Sequence, residues 1–353
     1  MKIGLILPGN LWFCPYVNIY TQILNDQAID YDIISWNRDG SEPSSEKVFD
    51  LDTSSFTRFQ KLMPFIKYLQ FIKKTVEKEK YKKIIVFGPQ LGLLLYPFLK
   101  KKYRNNFILD YRDLSIEQLP VLKSLFKKVL SISSVNIISS EGFKKYLPKG
   151  EYIISHNFSS GIAGSRDESS VQIFKKETVD VLTIGSIRDY QANLEVVQAL
   201  GNKEGIRVFF VGKGDAASLL ENYVKENDIG NVFFHGFYNK SEEAQFIKNA
   251  AFLNIYYPKI KSHSSALSNR FYNALLYKRP MIVTSDSIQG DFVEHYQLGL
   301  SVNDCSDLYE KVLQYKSNFD GHRFDVSSES LLKVFKSDYH IFYDKVLKFC
   351  KND

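Results

Sequence analysis

Apolar and polar positions along this chain fall into short, nearly continuous apolar runs separated by longer stretches of helical spacing. In the first half the runs Lys2–Leu7, Tyr31–Ser35, Lys83–Phe87, Phe107–Asp110, Val135–Ser139 and Tyr152–Ser155 predict strands. A helical pattern runs from about Thr57 to Lys80, with Phe59, Leu62, Met63, Ile66, Leu69, Ile72 and Val76 on one face. Pro64 falls early in it, as a kink or a first turn. A second helix is expected from about Pro120 to Ser131. The alternation restarts in the second half, with strands at Val179–Ile184, Arg207–Val211, Asn231–His235, Phe252–Tyr256, Met281–Val283 and Gly299–Val302, a helix from about Gln191 to Leu200, and a last helix from Ser327 to Phe349. Strands that alternate with helices imply parallel sheets. The expected fold class is therefore α/β, with two Rossmann-like doubly wound domains facing across a cleft, and ligands held at the carboxyl ends of the strands.

The stretch Ser159 to Glu177, with Ser-Ser-Gly, Ala-Gly-Ser and Asp-Glu-Ser-Ser and little apolar periodicity, predicts the interdomain linker. Domains are placed at residues 1–158 and 170–326. A length of 353 residues suits two domains of ordinary size. With 44% hydrophobic and 24% charged residues the composition is that of a soluble globular protein. Three widely spaced cysteines (Cys14, Cys305 and Cys350) lack metal-ligand spacing and argue for a reducing compartment. Met1 to Pro8 is too short for a signal-peptide core and reads as a first strand. The longest apolar run, Leu91 to Leu99, is interrupted by Pro97 and falls short of a bilayer span.

Charge changes the picture more than composition does. Residues 1–160 hold 23 Lys and Arg against 15 Asp and Glu, whereas the remainder holds 23 against 25. Lys61–Lys83 carries eight lysines and two glutamates, and Lys100–Arg104 follows. Interleaved Phe65, Tyr68, Phe71 and Tyr81 give a polybasic, aromatic face of the kind that binds anionic lipid headgroups. A solvated lysine-rich helix face would look the same. Nucleic acid would also explain the charge, but no nucleic-acid motif is present.

The strongest chemical signal is a strand that ends in glycine and opens a helix, found twice. Asp180–Ile184 runs into Gly185-Ser186-Ile187-Arg188, and Arg207–Val211 runs into Gly212-Lys213-Gly214-Asp215. Such a turn lets backbone N–H groups approach a phosphate, and Arg188 adds a permanent charge. Pro8-Gly9-Asn10 after the first strand allows a close backbone approach too, although tight turns use the same residues.

Five stretches, taken in order, carry a resemblance: Leu109-Asp110-Tyr111-Arg112-Asp113, Ser155-His156-Asn157-Phe158, Ile184–Arg188, Val211–Gly214, and Ser268-Asn269-Arg270-Phe271-Tyr272-Asn273 leading to Arg279-Pro280. In order and spacing the chain resembles the GT-B-fold bacterial glycosyltransferases, glycosyltransferase family 4 and its relatives in capsule and O-antigen synthesis. The resemblance implies a nucleotide-sugar donor in the second domain and a glycan or polyprenyl-diphosphate-linked acceptor in the first. The final helix, within 327–353, would cross back to the first domain. It also implies no metal and no cofactor, because helix N-termini and basic side chains hold the diphosphate. The expected location is cytoplasmic, peripheral on the inner face of the cell membrane. The family usually places a Glu where Asn273 stands, on the donor ribose, and another where Ser265 stands, on the donor sugar. Asn273 keeps hydrogen-bonding capacity without charge.

Glycosyl transfer needs charge neutralisation on the departing diphosphate, support for the sugar ring and a base for the acceptor proton. Arg188 and Arg270 are the candidates for the first, since a guanidinium fork suits phosphate oxygens. Arg188 could instead pair with Asp189. Gly185, Ser186, Gly212, Gly214, His263, Ser268, Asn269 and Asn273 complete the expected donor side, with Ser268 or Asn269 capping the helix that Arg270 begins. Asp113, near the carboxyl end of a strand, is one candidate base; one of Asp110 and Asp113 is expected to pair with Arg112 and hold the loop. His156 is the competing base. Gly9, Asn10 and Arg112 are placed on the acceptor side, Asn157 in a turn, and His235 at a strand end where it could equally be packing. Two other readings stay open at this point: a non-catalytic glycosyltransferase-like scaffold partner and a sugar-nucleotide epimerase.

Overall fold

Strands that are apolar on both faces need cover on both, which a parallel sheet with crossover helices supplies. Two such sheets are present in the computed structural model, which describes residues 2–57, 60, 62–157 and 172–351. The chain divides into two compact units, Met1–Ser159 with Ser337–Asp353, and Ser160–Lys336. Phe59, Lys61, Phe158 and most of the expected linker lie outside the described residues.

The first unit holds strands β1 (Ile3–Ile6), β2 (Tyr31–Asn37), β3 (Val48–Asp50), β4 (Lys83–Phe87), β5 (Phe107–Tyr111), β6 (Val135–Ile138) and β7 (Ile153–Ile154). They form one parallel sheet in the order β3-β2-β1-β4-β5-β6-β7. Helices α1 (Val17–Asp26), α2 (Leu62–Glu79), α3 (Pro89–Leu94), α4 (Tyr96–Lys102) and α5 (Pro120–Leu130) connect them. The run Leu91–Leu99 is split between α3 and α4, each with a proline in its first turn, where a missing N–H costs nothing. Helix α2 corrects the periodicity reading. It starts at Leu62 with Pro64 in its first turn, and it buries Pro64, Tyr68, Ile72, Thr75 and Val76. Leu62, Met63 and Ile66, expected in the core, are exposed.

The second unit holds β8 (Val179–Ile184), α6 (Tyr190–Leu200), β9 (Ile206–Val211), α7 (Ala217–Glu226), β10 (Val232–Gly236), α8 (Glu243–Asn249), β11 (Phe252–Ile255), α9 (Lys261–Ser265), α10 (Asn269–Leu276), β12 (Met281–Thr284), α11 (Ile288–Tyr296), β13 (Gly299–Val302) and α12 (Leu308–Ser317). Its sheet is parallel in the order β10-β9-β8-β11-β12-β13. Strand order therefore reverses between β1 and β4 in one sheet and between β8 and β11 in the other. These switch points are where doubly wound sheets bind ligands, beyond the carboxyl ends of the strands.

The last helix, α13 (Gly321–Lys351), starts six residues before the expected Ser327. Its carboxyl-terminal part belongs to the first unit. There Phe342, Val346, Phe349 and Cys350 pack with Tyr20, Ile23 and Leu24 of α1 against Ile3, Leu5 and Ile85. Lys83 is buried at the start of β4, and its Nζ donates to the Phe349 carbonyl at 2.6 Å, capping the last turn of α13. The lysine that ends the basic run in the sequence is thus a core residue.

Candidate functional site

The two glycine turns of the second unit are built as one piece. The Gly185 N–H donates to the Val211 carbonyl (2.9 Å), Ile187 N–H to the Lys213 carbonyl (3.0 Å), and Gly212 N–H to the Gly236 carbonyl (2.7 Å). A Cβ on Gly212 would lie 1.9 Å from the Gly185 carbonyl oxygen, and one on Gly214 would lie 2.0 Å from that of Ile187. Only glycine lets these backbones meet. Gly185 itself has φ +97°, and a Cβ there would meet nothing within 4 Å. The turn is therefore held from below and open above. Asp189, the N-cap of α6, adopts a left-handed φ of +57°, which costs a non-glycine residue about 1–2 kcal/mol. Asn193 fixes this turn by donating to the Arg188 and Asp189 carbonyls. Arg188 and Ser186 are exposed. Among the described residues Arg188 has no ion pair, Asp189 included, so its charge is uncompensated at the amino end of α6.

Arg270 is placed differently. It is buried, and its Nε donates to the Ile184 carbonyl (2.6 Å), its Nη2 to that of Ser186 (2.8 Å) and its Nη1 to that of Asn254 (3.5 Å). Its guanidinium thus clamps the ends of β8 and β11 across the switch point. Ser268, not Asn269, caps α10, its Oγ accepting from Phe271 N–H at 3.2 Å, while its own N–H donates to Gln289 Oε1. Asn269 is exposed as the first residue of α10. His263 lies on α9 with its ring 5.1 Å from that of Tyr257, which Arg270 also flanks. His263 Nδ1 is enclosed without a hydrogen-bond partner among the described residues. Asn273 donates to Glu243 Oε1 at 3.1 Å, so a carboxylate from α8 stands beside the position where the resemblance expects one. Ser265 is buried, and its Oγ donates to the Lys261 carbonyl. His235 packs edge-on against Phe246 at 4.8 Å.

In the first unit Asp110, not Asp113, is the partner of Arg112. The guanidinium donates from Nε to Asp110 Oδ1 (2.6 Å) and from Nη2 to Oδ2 (2.7 Å). Its other N–H groups go to the Ser155 carbonyl and Oγ and to Asn157 Oδ1. Tyr20 O–H donates to the same carboxylate, and the Tyr16 ring lies 4.8 Å from the guanidinium. Asp110 has no exposed surface. This network ties β5 to β7. Asp113 is exposed one residue further on, with Oδ1 accepting from Leu114 N–H. Asn10 is buried and committed to the loop after β2, donating to Asn37 and Asp39 and accepting from Arg38 N–H. Gly9 borders the Arg38 side chain.

His156 is buried after β7, with Nε2 2.9 Å from Asp338 Oδ2 of α13. Burial lowers its pKa below the ordinary 6.5, an effect that the Asp338 carboxylate opposes and does not cancel. The folded state therefore binds its proton more weakly than the unfolded chain. This group's contribution to stability is present above pH 6.5 and falls as pH drops below it. His156→Gln is expected to flatten the difference in melting temperature between pH 7.5 and pH 5. An unchanged pH profile in the variant would reject this assignment.

No protein-family model matches the chain, and no curated protein sequence matches it. Solved structures match it end to end. HepE of Anabaena, in complex with UDP, aligns with a TM-score of 0.65 and 12% identity over 99% of this chain and 100% of that one. WaaG, a glycosyltransferase involved in lipopolysaccharide biosynthesis, gives 0.64 and 10% over 99% and 100%. Sucrose-phosphate synthase of Thermosynechococcus elongatus gives 0.68 and 15% over 99% and 97%. The fold is that of the GT-B glycosyltransferases. Both units of this GT-B chain are Rossmann-like, and the candidate residues gather at the carboxyl edge of each sheet. The second edge holds Gly185, Ser186, Arg188, Gly212, Gly214 and Arg270, of which Arg270 donates directly to the Ser186 carbonyl. The first holds Arg112, Asp113, His156, Gly9 and Asn10. Periodicity and motif reading had missed Glu243, Asn193 and Arg38. Nothing in the sequence marks the first two; Arg38, three residues past the predicted strand Tyr31–Ser35, could have been found by position.

Proposed function

We propose that this protein transfers a sugar from a nucleoside-diphosphate sugar to a lipid-linked glycan acceptor during bacterial surface polysaccharide synthesis. The observation that carries this reading is the interlocked pair of glycine turns, open above Gly185, with Arg188, which has no ion pair among the described residues, at the amino end of α6. The structural neighbours support it. HepE structures contain UDP, UDP-glucose or UDP with glucose, and WaaG acts in lipopolysaccharide biosynthesis.

In this reading the turn amides and Arg188 take the diphosphate and stabilise the charge that develops as it leaves. Arg270 holds the turn in place and offers its remaining N–H groups. Asp113 accepts the acceptor proton. The diphosphate is held by protein groups, without a metal ion or other cofactor. The first unit binds the acceptor and rests peripherally on the inner face of the cell membrane. Exposed Lys74, Lys78, Lys80, Lys82, Lys100 and Lys101 support that placement, as do the exposed apolar Leu62, Met63 and Ile66. Among the described residues no helix is long and apolar enough to cross a membrane.

The test is calorimetry with UDP, GDP and ADP, followed by nucleotide release from a panel of nucleotide sugars with and without acceptor in anionic vesicles. Arg188→Ala is expected to raise the dissociation constant for the preferred diphosphate about 10- to 100-fold, the worth of one charge-assisted contact. Absence of heat with every diphosphate would sink the reading. Turnover that ignores acceptor would point to an epimerase or hydrolase, and binding without turnover to a scaffold. Failure of the protein to sediment with the vesicles would remove the membrane part alone.

A further inference from the structure

The first unit contains a second guanidinium whose surroundings are the opposite of Arg112's. Arg38 follows β2, at the same carboxyl edge as the Gly9 loop. Arg112 satisfies five N–H donors and faces a carboxylate. Arg38 makes a single side-chain hydrogen bond among the described residues, from Nη2 to the Pro8 carbonyl at 2.6 Å. Its Nε is enclosed and has no hydrogen-bond partner among the described residues. Its Cζ lies 4.3 Å from the Trp36 ring centroid and 6.0 Å from that of Phe65, so aromatic faces cover the cation.

No carboxylate among the described residues lies within ion-pair reach of Arg38. The two nearest in sequence are committed elsewhere. Asp39 Oδ1 accepts from Asn10 Nδ2, Ser41 N–H and Ser41 Oγ. Glu42 accepts from Leu11 N–H and Ser35 Oγ. Burial lowers the Arg38 pKa from its ordinary value, opposed by Tyr68 and Cys14 and by no carboxylate. A partly desolvated cation without a counter-charge is unfavourable on its own, and it is what an anion site looks like before the anion arrives. Its neighbours fit that use. Gly9 presents backbone without a side chain, and a Cβ there would lie 3.4 Å from Arg38 Nε. The Pro8 carbonyl that anchors Nη2 sits at the end of β1, beside the switch point with β4.

We propose that Arg38 is the anchor for a phosphate-type anion on the acceptor. This rests on the transferase reading and narrows the acceptor to an anionic one, carrying either a phosphate ester or the diphosphate that joins a glycan to its lipid. The site is separate from the donor turns, which lie in the other unit.

The chain has two tryptophans, Trp12 and Trp36, so a Trp12→Phe variant leaves Trp36, under the Arg38 guanidinium, as the only indole. The experiment is a titration of Trp36 emission, at saturating UDP, with inorganic pyrophosphate, glucose 6-phosphate or geranyl diphosphate. The expected result is a saturable change that sodium chloride at equal ionic strength does not produce. It should be at least about tenfold weaker in Arg38→Gln and intermediate in Arg38→Lys, which keeps the charge and loses the fork. Preference for geranyl diphosphate would assign the anion to the lipid linkage, and preference for glucose 6-phosphate to a sugar ester. A response matched by chloride, no saturable response, or an undiminished response in a folded Arg38→Gln overturns the proposal. Should Arg38→Gln not fold by its melting curve, the titrations of the Trp12→Phe protein and of Arg38→Lys decide alone. UDP binding, read by calorimetry, stands apart: its absence removes the transferase reading, while Trp36 still reports on the anion.

Discussion

Gly212→Ala is expected to destabilise the second unit by more than about 4 kcal/mol, at the extreme of single substitutions. For a unit of this size that is a fall of about 10 °C in melting temperature, accompanied by loss of diphosphate binding. The reason is steric and local. The added methyl would sit 1.9 Å from the Gly185 carbonyl oxygen, and Gly212 already has φ +133°. Neither backbone can retreat without breaking the bonds from Gly185 N–H to Val211 and from Gly212 N–H to Gly236. Gly185→Ala supplies the control. It meets no neighbour, so only its positive φ of +97° counts, at about 1–2 kcal/mol. Thermal melts of the two variants side by side check the ordering. If Gly185→Ala proves the more damaging, the two turns are not locked together as described.

Asp110→Ala is expected to rank next, costing the first unit about 3–5 kcal/mol. The substitution leaves the Arg112 guanidinium buried without its counter-charge and strands the Tyr20 hydroxyl. Burial pulls the Arg112 pKa down, but the Asp110 carboxylate together with Tyr20 and Tyr16 holds it above its ordinary value. A guanidinium is basic enough to stay charged at every accessible pH even without that carboxylate, so it cannot escape by losing a proton. Adding Arg112→Met to Asp110→Ala should recover part of the loss, since the double variant removes the stranded charge as well. Asp113→Asn, at an exposed position three residues along, should leave the unfolding free energy within about 0.5 kcal/mol of the parent and lower turnover. Denaturant melts of the three variants test this. Equal damage from Asp110→Ala and Asp113→Asn would mean that the network does not hold the loop.

The strands and glycine turns were legible in the sequence because a buried parallel strand is an apolar run on both faces, and a glycine at its end has few other uses. Val48–Asp50 escaped notice because three residues show no periodicity. Helix α1 was missed for a different reason. Its buried Val17, Tyr20 and Leu24 fall at helical spacing, but its 10 residues are too few for the pattern to stand out. Periodicity also misassigned Leu62, Met63 and Ile66, because α2 turns the face of Pro64, Tyr68, Ile72 and Thr75 to the core and leaves those three on another side of the helix. At the candidate site, residue type was legible and partnership was not. Arg188 and Arg270 both follow or open a turn in the sequence. The fold spends Arg270 on strand-end carbonyls and leaves Arg188 without an ion pair among the described residues. The choice between Asp110 and Asp113 depends on Ser155 and Asn157, more than 40 residues away. Asn273 and Glu243, thirty residues apart, meet only because α8 and α10 lie side by side.

Residues 337–351 complete the first unit, yet every residue of the second is synthesised before them. Phe342 and Val346 belong to the core that α1 covers, Lys83 caps a helix turn formed from Phe349, and His156 meets Asp338. On the ribosome the usual amino-to-carboxyl order of domain completion is therefore reversed. The second unit can mature first, while the nascent first unit waits with its α1 side uncovered. Translation speed over the codons for residues 337–351 then sets how long that apolar surface stays available to chaperones or to misassembly.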